Sequence, residues 1–433
     1  MKVAFATLGC RVNQYESEAM AEKFIKSGYE VVPFSEIADV YVINTCTVTN
    51  MSDKKSRQMI SRARRLNDNS TIAAVGCYTQ IAPEKVSEIS DVDVILGTRN
   101  KGEIVYWVNR AREEKKQIVA VNDVLKNKIF EDLRIEEYQD KTRAFLKIQD
   151  GCNNFCSYCL IPFARGAVCS KKPDRVINEV KELADHGFKE VILSGIDISS
   201  YGVDLEEDYS LVKILQEIDK IEGIERVRIG SIGPEFFNEH IIKEMSKLNK
   251  LCPHFHLSLQ SGCNETLKRM NRRYTIEQYK NIVDSLRDKI KDVSITTDII
   301  VGFPGETEEE FNRTYEFLKE IKLSKMHIFK YSPRTGTKAS KMKEQVNGTI
   351  KESRSKKLIK LNEENEKEFM SEFIGREMHV LYEQKTDKYE ESYEGYTPNY
   401  IKVISNSNED ITEKIINTSL KEVKAEHILG IIK

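Results

Sequence analysis

Nine cysteines are the residues of this chain best suited to chemistry: Cys10, Cys46, Cys77, Cys152, Cys156, Cys159, Cys169, Cys252 and Cys263. An odd number of thiols in a 433-residue chain, with no signal-peptide pattern after Met1-Lys2, makes a poor disulfide framework. Metal binding or thiol chemistry in a cytoplasmic protein is the first expectation. The densest group lies in GCNNFCSYC at 151–159, with the spacing Cys152-x3-Cys156-x2-Cys159. A closed zinc site or a closed iron–sulfur cluster takes four protein ligands. Three close thiols can instead hold a four-iron–four-sulfur cluster by three irons and leave the fourth open to a substrate or cofactor. An incomplete zinc site or unrelated thiols are the bland alternatives. Cys10, Cys46 and Cys77 are far apart in sequence, and such thiols are often buried and inert. Each nevertheless follows a strand-like run, VAFATLG, YVINT and TIAAVG. That places all three at strand carboxyl ends, the edge where open α/β sheets bind ligands. Three thiols on one such edge can again hold a cluster with an open iron.

The elements that must position these thiols are readable from periodicity. In the first ~115 residues, KVAFATL, YVINT, TIAAV and DVDVIL alternate with helical patterns such as SEAMAEKFIKSG, which implies a parallel sheet covered by helices. Residues 115–143 are charged, weakly periodic and linker-like. Six further strand candidates follow: AFLKIQ, KEVILSG, RVRIGS, HFHLSL, SITTDIIVG and MHIFKY. Helical segments lie between them, two opened by capping boxes, Thr275 with Gln278 and Thr307 with Glu310. Six β/α units predict a partial parallel barrel with functional groups at the strands' carboxyl ends. Residues 350–373 read as a helix, and the tail from about 371 as a small β domain. Lys plus Arg is 67 and Asp plus Glu is 69, a net charge of −2. Any nucleic-acid site must therefore be a local patch. No run of apolar residues is long enough to span a membrane.

These features together resemble a known family. Cys-x3-Cys-x-aromatic-Cys, with Tyr158 as the aromatic, on the first loop of a six-unit barrel is similar to the radical S-adenosylmethionine enzymes. LGCRVNQYESE, NTCTVT and VGCYTQ around the other three cysteines resemble the N-terminal domain of the methylthiotransferase family. That resemblance implies an α/β protein of three parts: an N-terminal parallel α/β cluster domain (1–115), a partial (β/α)6 radical SAM barrel (138–368) and a small C-terminal TRAM-like, RNA-binding β-barrel (371–433). It implies two 4Fe-4S clusters, one on Cys152, Cys156 and Cys159 and one on Cys10, Cys46 and Cys77, with all six cysteines catalytic. The barrel cluster, once reduced, cleaves S-adenosylmethionine to a 5′-deoxyadenosyl radical. The N-terminal cluster supplies sulfur, and a second S-adenosylmethionine supplies the methyl group. The family has branches acting on isopentenyladenosine in tRNA, on a ribosomal-protein aspartate and on threonylcarbamoyladenosine in tRNA. GCRVNQYESE, IPFARG, VGFPGETEEEF and GYTPNYIKV resemble the third branch. The proline that the aspartate branch carries soon after its first cysteine is absent. Implied partners are the tRNA anticodon loop, S-adenosylmethionine and an electron donor, with no membrane and no DNA. A non-catalytic tRNA-binding iron–sulfur carrier is the non-enzyme alternative.

Two departures from the family pattern fall near the implied cofactor site. Lys171 follows Ser170 where the family has Ser-Arg, and Asp197 stands where the branch often has His. Candidate S-adenosylmethionine contacts are Tyr158, Ser194, Gly195, Asp197, Ser258, Gln260, Gly302 and Gly305, with Ser261 as a further barrel-lining candidate. Gly302 and Gly305 also have a bland role in a tight strand-to-helix turn. Cys169, Cys252 and Cys263 match no ligand position and read as ordinary residues. For tRNA phosphates, Lys54, Lys55, Arg57, Arg62, Arg64 and Arg65 form one basic run, and Lys351, Arg354, Lys356, Lys357 and Lys360 a second. Tyr382, Tyr393, Tyr396 and Tyr400 are either bases' stacking partners or the core of the small C-terminal domain.

Overall fold

The first part of the chain folds as the alternation predicts. The computed structural model describes residues 1–126, 128–135, 142–206 and 209–433, so the expected barrel boundary at 138 lies outside the described residues. Strands β1 (Lys2–Thr7), β2 (Glu30–Val32), β3 (Val40–Thr45), β4 (Thr71–Gly76), β5 (Val94–Leu96) and β6 (Ile118–Ala120) form one parallel sheet in the order β2-β1-β3-β4-β5-β6. Helices α1 (Arg11–Lys26), α2 (Asn50–Leu66), α3 (Cys77–Ile81), α4 (Pro83–Ser87) and α5 (Ile104–Glu114) connect them. Every residue of β3 and β4 is buried, as a parallel sheet covered on both faces requires. The strand order reverses direction between β1 and β3, the switch point where such sheets open a crevice. Two strands escape sequence reading, β2 and β6. Three residues are too few to show a period, and β6 falls inside the segment read as a linker.

The second part contains all six expected strands. They are β7 (Arg143–Lys147), β10 (Glu190–Ser194), β11 (Arg226–Ile229), β12 (His254–His256), β13 (Ser294–Val301) and β14 (Lys325–Lys330). Ladders join β11-β10-β7 and β12-β13-β14 in parallel. Single parallel bridges, Val227 to Leu251 and Ile232 to Leu257, carry the sheet across between β11 and β12. The result is an open, six-stranded half-barrel. Helices α6 (Ile161–Arg165), α7 (Pro173–Asp185), α8 (Leu211–Ile218), α9 (Glu239–Met245), α10 (Asn264–Arg269), α11 (Ile276–Lys289) and α12 (Glu308–Ile321) complete the units, and both expected capping boxes are formed. A two-stranded ribbon, β8 (Gln149–Asp150) against β9 (Cys169–Ser170), pins both ends of the cysteine loop.

Helix α13 (Gly348–Ser371) packs Leu358 and Leu361 into the half-barrel core and passes Phe369 and Met370 to the next domain. There, β15 (Glu377–Thr386), β16 (Ser392–Tyr396), β17 (Lys402–Asn406), β18 (Ile415–Val423) and β19 (Ile428–Ile432) close a five-stranded barrel. This small barrel docks under the amino ends of the half-barrel strands. Arg226 donates to the carbonyls of His379 (2.7 Å) and Tyr396 (3.1 Å), and Arg228 to Pro398 (3.0 Å). The Arg228 guanidinium lies 4.5 Å from the Tyr400 ring centre, and Tyr400 stacks on His254 and Tyr396. Tyr396 and Tyr400 are therefore domain cement rather than free stacking rings, because the arginines at the strand starts take their faces. Tyr382 and Tyr393 are buried in the small barrel's core.

This docking yields a stability prediction. Arg228 donates to the buried carboxylate of Glu190 through Nε (2.8 Å) and Nη2 (3.4 Å). Arg228→Met leaves that carboxylate short of its best partner and should cost about 3–5 kcal/mol. The urea midpoint checks it, and an unchanged midpoint contradicts it.

Candidate active site

Cys10, Cys46 and Cys77 follow β1, β3 and β4 and meet at the switch-point edge. Gly9 holds φ +102, a left-handed conformation costly for other residues, and a Cβ there would stand 2.8 Å from Cys46 Sγ. The first two loops are thus in contact. Asn13 ties them, donating to the carbonyls of Leu8 (2.7 Å) and Thr45 (3.0 Å). Thr45 Oγ1 ties the second to the third, donating to Val75 O (2.7 Å) and accepting from Tyr78 N (3.2 Å). Cys10 is exposed, whereas Cys46 and Cys77 are buried. Burial pushes the thiols of Cys46 and Cys77 up, while Arg165 and Lys101 pull Cys77 back toward the thiolate.

The second set sits on the loop after β7. Cys152 Sγ lies 3.8 Å from Asp197 Oδ2, Arg272 Nη1 donates to Cys156 Sγ (3.2 Å), and Ile161 N donates to Cys159 Sγ (3.4 Å). Burial pushes Cys152 and Cys159 up to about 12, with the Asp197 charge adding to Cys152. Helix α3, which begins at Cys77, packs on α6, which closes the cysteine loop.

Among the described residues, no three His, Cys, Asp or Glu side chains are gathered as ligands of a single ion. A four-iron cluster is larger than one ion and holds its thiolates farther apart. The donor chemistry fits it: two all-cysteine sets of three, each lacking a fourth protein ligand. Burial holds Cys46, Cys77, Cys152 and Cys159 toward the neutral thiol, the form whose proton a metal displaces on binding.

A buried ion cluster joins the two halves at this point. Glu16 of α1 accepts from Lys101, Lys147 and Arg165, and Asp150 accepts from Lys147 (2.6 Å) and Arg165 (3.3 Å) and forms an ion pair with Arg99 (3.6 Å). None of these six was singled out from sequence. Asn13 and Glu16 carried a signal, since both lie in GCRVNQYESE three residues apart on one helix face. Lys171, the departure after Ser170, pairs with Glu179 and with Asp132 (2.9 Å). It therefore belongs to this interface rather than to a cofactor contact. Arg334 makes a second tie across the halves, to Thr47 (2.6 Å), Asn50 (2.6 Å) and Asp53 (2.7 Å).

The remaining candidates divide. Asp197 sits beside the cysteine loop, accepting from Asn154 (3.0 Å) and Ser200 (2.9 Å). Ser194 Oγ is taken by Leu146 O (3.3 Å), and a Cβ on Gly195 would strike Gln149 Oε1. The Ser258 carbonyl accepts from Arg272 (3.3 Å) and Tyr274 (2.9 Å), which links that strand end to Cys156. Gln260 stands at φ +72, and Ser261 is buried against Thr314 (3.4 Å). Tyr158 packs edge-on to Phe303. The glycine turn has a structural explanation. Gly302 N donates to Glu306 Oε2 (2.6 Å), and a Cβ on Gly302, at φ +68, would meet Lys351 Cγ at 2.3 Å. Gly305 N donates to Glu344 O (2.8 Å). Cys169, Cys252 and Cys263 are buried, Cys169 against Asp150 O (3.6 Å) in the ribbon below the cysteine loop.

The basic runs need correction. Arg64 is spent on Asp68 O, Ser70 O, Asp91 O and Asp93, which fold it back onto its own domain. Arg354 is buried against Glu306 (2.6 Å), and Lys351 donates to Tyr331 O (3.0 Å). Lys54, Lys55, Arg57, Arg62 and Arg65 remain exposed on α2.

Known proteins match both halves. The model of the Radical SAM superfamily matches residues 146–318, and that of Uncharacterized protein family UPF0004 matches residues 2–97. The threonylcarbamoyladenosine tRNA methylthiotransferase MtaB of Bacillus subtilis is 43% identical, across 96% of this chain and 93% of its own length. The same enzyme of Aquifex aeolicus is 43% identical, across 92% and 97%. A tRNA-2-methylthio-N(6)-dimethylallyladenosine synthase of Thermoanaerobacter is 36% identical, across 98% and 91%. Among solved structures, the radical S-adenosylmethionine methyltransferase TsrM of Kitasatospora setae shares the fold, with a TM-score of 0.61 at 14% identity over 78% of this chain and 77% of its own. With two thiol triplets on a sheet edge and a half-barrel, and with full-length relatives at this identity, the chain belongs to the methylthiotransferase family of radical S-adenosylmethionine enzymes, on the MtaB branch.

Proposed function

We propose that this enzyme adds a methylthio group to C2 of N6-threonylcarbamoyladenosine at position 37, beside the anticodon of tRNA. The observation that carries the reading is the pair of three-thiol sets on adjoining elements, the Cys77 helix packed on the helix that closes the Cys152–Cys159 loop and the two halves joined by the Glu16 ion cluster. Cys152, Cys156 and Cys159 would hold one 4Fe-4S cluster, and Cys10, Cys46 and Cys77 the other. Bound there and reduced by an electron donor, the first supplies the electron that cleaves S-adenosylmethionine, and the second supplies sulfur. The protein's own part is positioning. Arg272 donates to Cys156 and to the Ser258 carbonyl, so it ties the cysteine loop to the strand end that carries Ser258 and Gln260. With Ser194, Gly195, Asp197, Tyr158 and the turn at Gly302 and Gly305, these ends would form the floor for S-adenosylmethionine. The target base sits in a single-stranded loop, so presenting it needs little unpairing. The exposed cations of α2 would hold the phosphates of the anticodon arm. Such a substrate is cytoplasmic, and no helix of the described residues is long and apolar enough to cross a membrane. The functional division would follow 1–115, 138–368 and 371–433.

Three measurements test this reading. Mass spectrometry of tRNA nucleosides from a deletion strain should show unmethylthiolated threonylcarbamoyladenosine accumulating. Loss of the methylthio form of dimethylallyladenosine instead would assign the other tRNA substrate. Anaerobically reconstituted protein should hold about eight irons, and Cys152, Cys156 and Cys159 changed together to Ala should leave about four. Full iron in that variant contradicts the two-cluster assignment. Finally, changing Lys54, Lys55, Arg62 and Arg65 to Gln should lower the log–log salt slope of tRNA binding by about three. An unchanged slope removes α2 from the tRNA surface.

A further inference from the structure

The buried ion cluster does not balance its own charge. Glu16, Arg99, Lys101, Lys147, Asp150 and Arg165 have side chains at most 1% exposed. Among the described residues four are cations and two are anions, a surplus of two positive charges. Glu131 also faces the cluster. Burial drives its carboxyl toward the neutral form, its Oε1 accepts only from Gly102 N (2.8 Å), and its Oε2 is unpartnered. Even if ionised, it would leave one cation over. Among the described residues the other groups seen against these side chains are neutral: the Cys169 thiol by Arg99, Asn13 on Arg165, Asn44 on Lys101, and the Phe130 ring 5.3 Å from Lys147 Nζ. The Nε atoms of Arg99 and Arg165 have no acceptor. Uncompensated buried cations cost several kcal/mol each, so a fold that keeps them has a use for their field.

That field points at one place. Arg165 Nη2 donates to Asn13 (2.5 Å), whose amide ties the loops that carry Cys10 and Cys46, and Lys101 Nζ donates to Asn44 (3.4 Å), two residues before Cys46. We propose that this surplus is the counter-charge of the anionic iron–sulfur cluster on Cys10, Cys46 and Cys77, and that Lys101 and Arg165 raise its reduction potential. The inference rests on the two-cluster reading above. Three thiolates around an oxidised four-iron core sum to one negative charge, and reduction adds a second. Nearby cations favour the reduced form, and in a poorly screened interior their effect is strong. Lys101 and Arg165 are positioning residues in this account, acting through the charge they hold against Cys77. The interface between the halves becomes electrostatically complete only when the cluster is loaded.

Two neighbouring substitutions of opposite charge effect provide the test. In full-length protein with Cys152, Cys156 and Cys159 changed to Ala, only the N-terminal cluster is read. Lys101→Met removes a cation, and Glu16→Gln removes an anion from the same contact. Dithionite titration followed by electron paramagnetic resonance should show the midpoint falling for Lys101→Met and rising for Glu16→Gln. The expected size is about tenfold in the reduction equilibrium each way, which is 59 mV for one electron. Lys101→Arg should restore the parent value. A purely structural role would move both variants in the same direction or neither, and either result overturns the proposal. Should a variant fail to hold iron, apo-protein melting decides. Lys101→Met should stabilise the apo chain relative to the parent, because it removes surplus charge, and destabilisation overturns the proposal. Absence of iron from the parent triple-alanine protein would instead mean that the two-cluster reading has failed.

Discussion

The structure turns on one carboxylate. Glu16 lies on the helix that starts beside Cys10, and it is fully buried against Lys101 of its own domain and Lys147 and Arg165 of the half-barrel. Lys147 ends the first barrel strand, and Arg165 ends the helix that closes the Cys152–Cys159 loop. One side chain thus registers the edge that carries the first three thiols against the loop that carries the second three. Burial of charge at this density is expensive unless every group keeps its partners. The two halves can therefore meet in few other ways, and the separation of the thiol sets is fixed by the same contacts that fix the fold.

The far end of the molecule follows a similar logic with a different purpose. Glu190 sits among Arg228, Arg226 and Arg143 at the amino ends of the strands, and those arginines reach on to the C-terminal barrel. The small barrel docks at the lower end, where a cavity lined by His254, His256, His327 and Tyr400 remains, and the thiols lie at the opposite end. A tRNA that also touched the small barrel would have to reach from one end of the half-barrel to the other.

What could be read in the sequence was whatever depends on local spacing. The Cys152-x3-Cys156-x2-Cys159 loop, the strand-end positions of Cys10, Cys46 and Cys77, the six barrel strands and both capping boxes are fixed by neighbours in the chain. What could not be read depends on distant partners. Glu16, Arg99, Lys101, Lys147, Asp150 and Arg165 have no common period, and a lone Lys or Arg in a sequence reads as surface. Arg62, Arg64 and Arg65 look alike until Asp93 and three carbonyls claim Arg64. Tyr396 and Tyr400 have the pattern of stacking rings, and they do stack, but on arginine, histidine and each other. The glycines of VGFPGETEEEF were read as room for a ligand. At Gly302 a Cβ would strike Lys351 of the chain itself, so packing alone demands glycine there whatever lies against its backbone.

The central claim is that the two thiol sets hold clusters close together across a rigid interface. Electron paramagnetic resonance of the doubly reduced, fully reconstituted enzyme tests it most directly. The account predicts a spectrum broadened and split by magnetic coupling between the clusters, with the splitting absent when either cysteine triplet is replaced by alanine. A spectrum equal to the sum of those two single-cluster variants would contradict it.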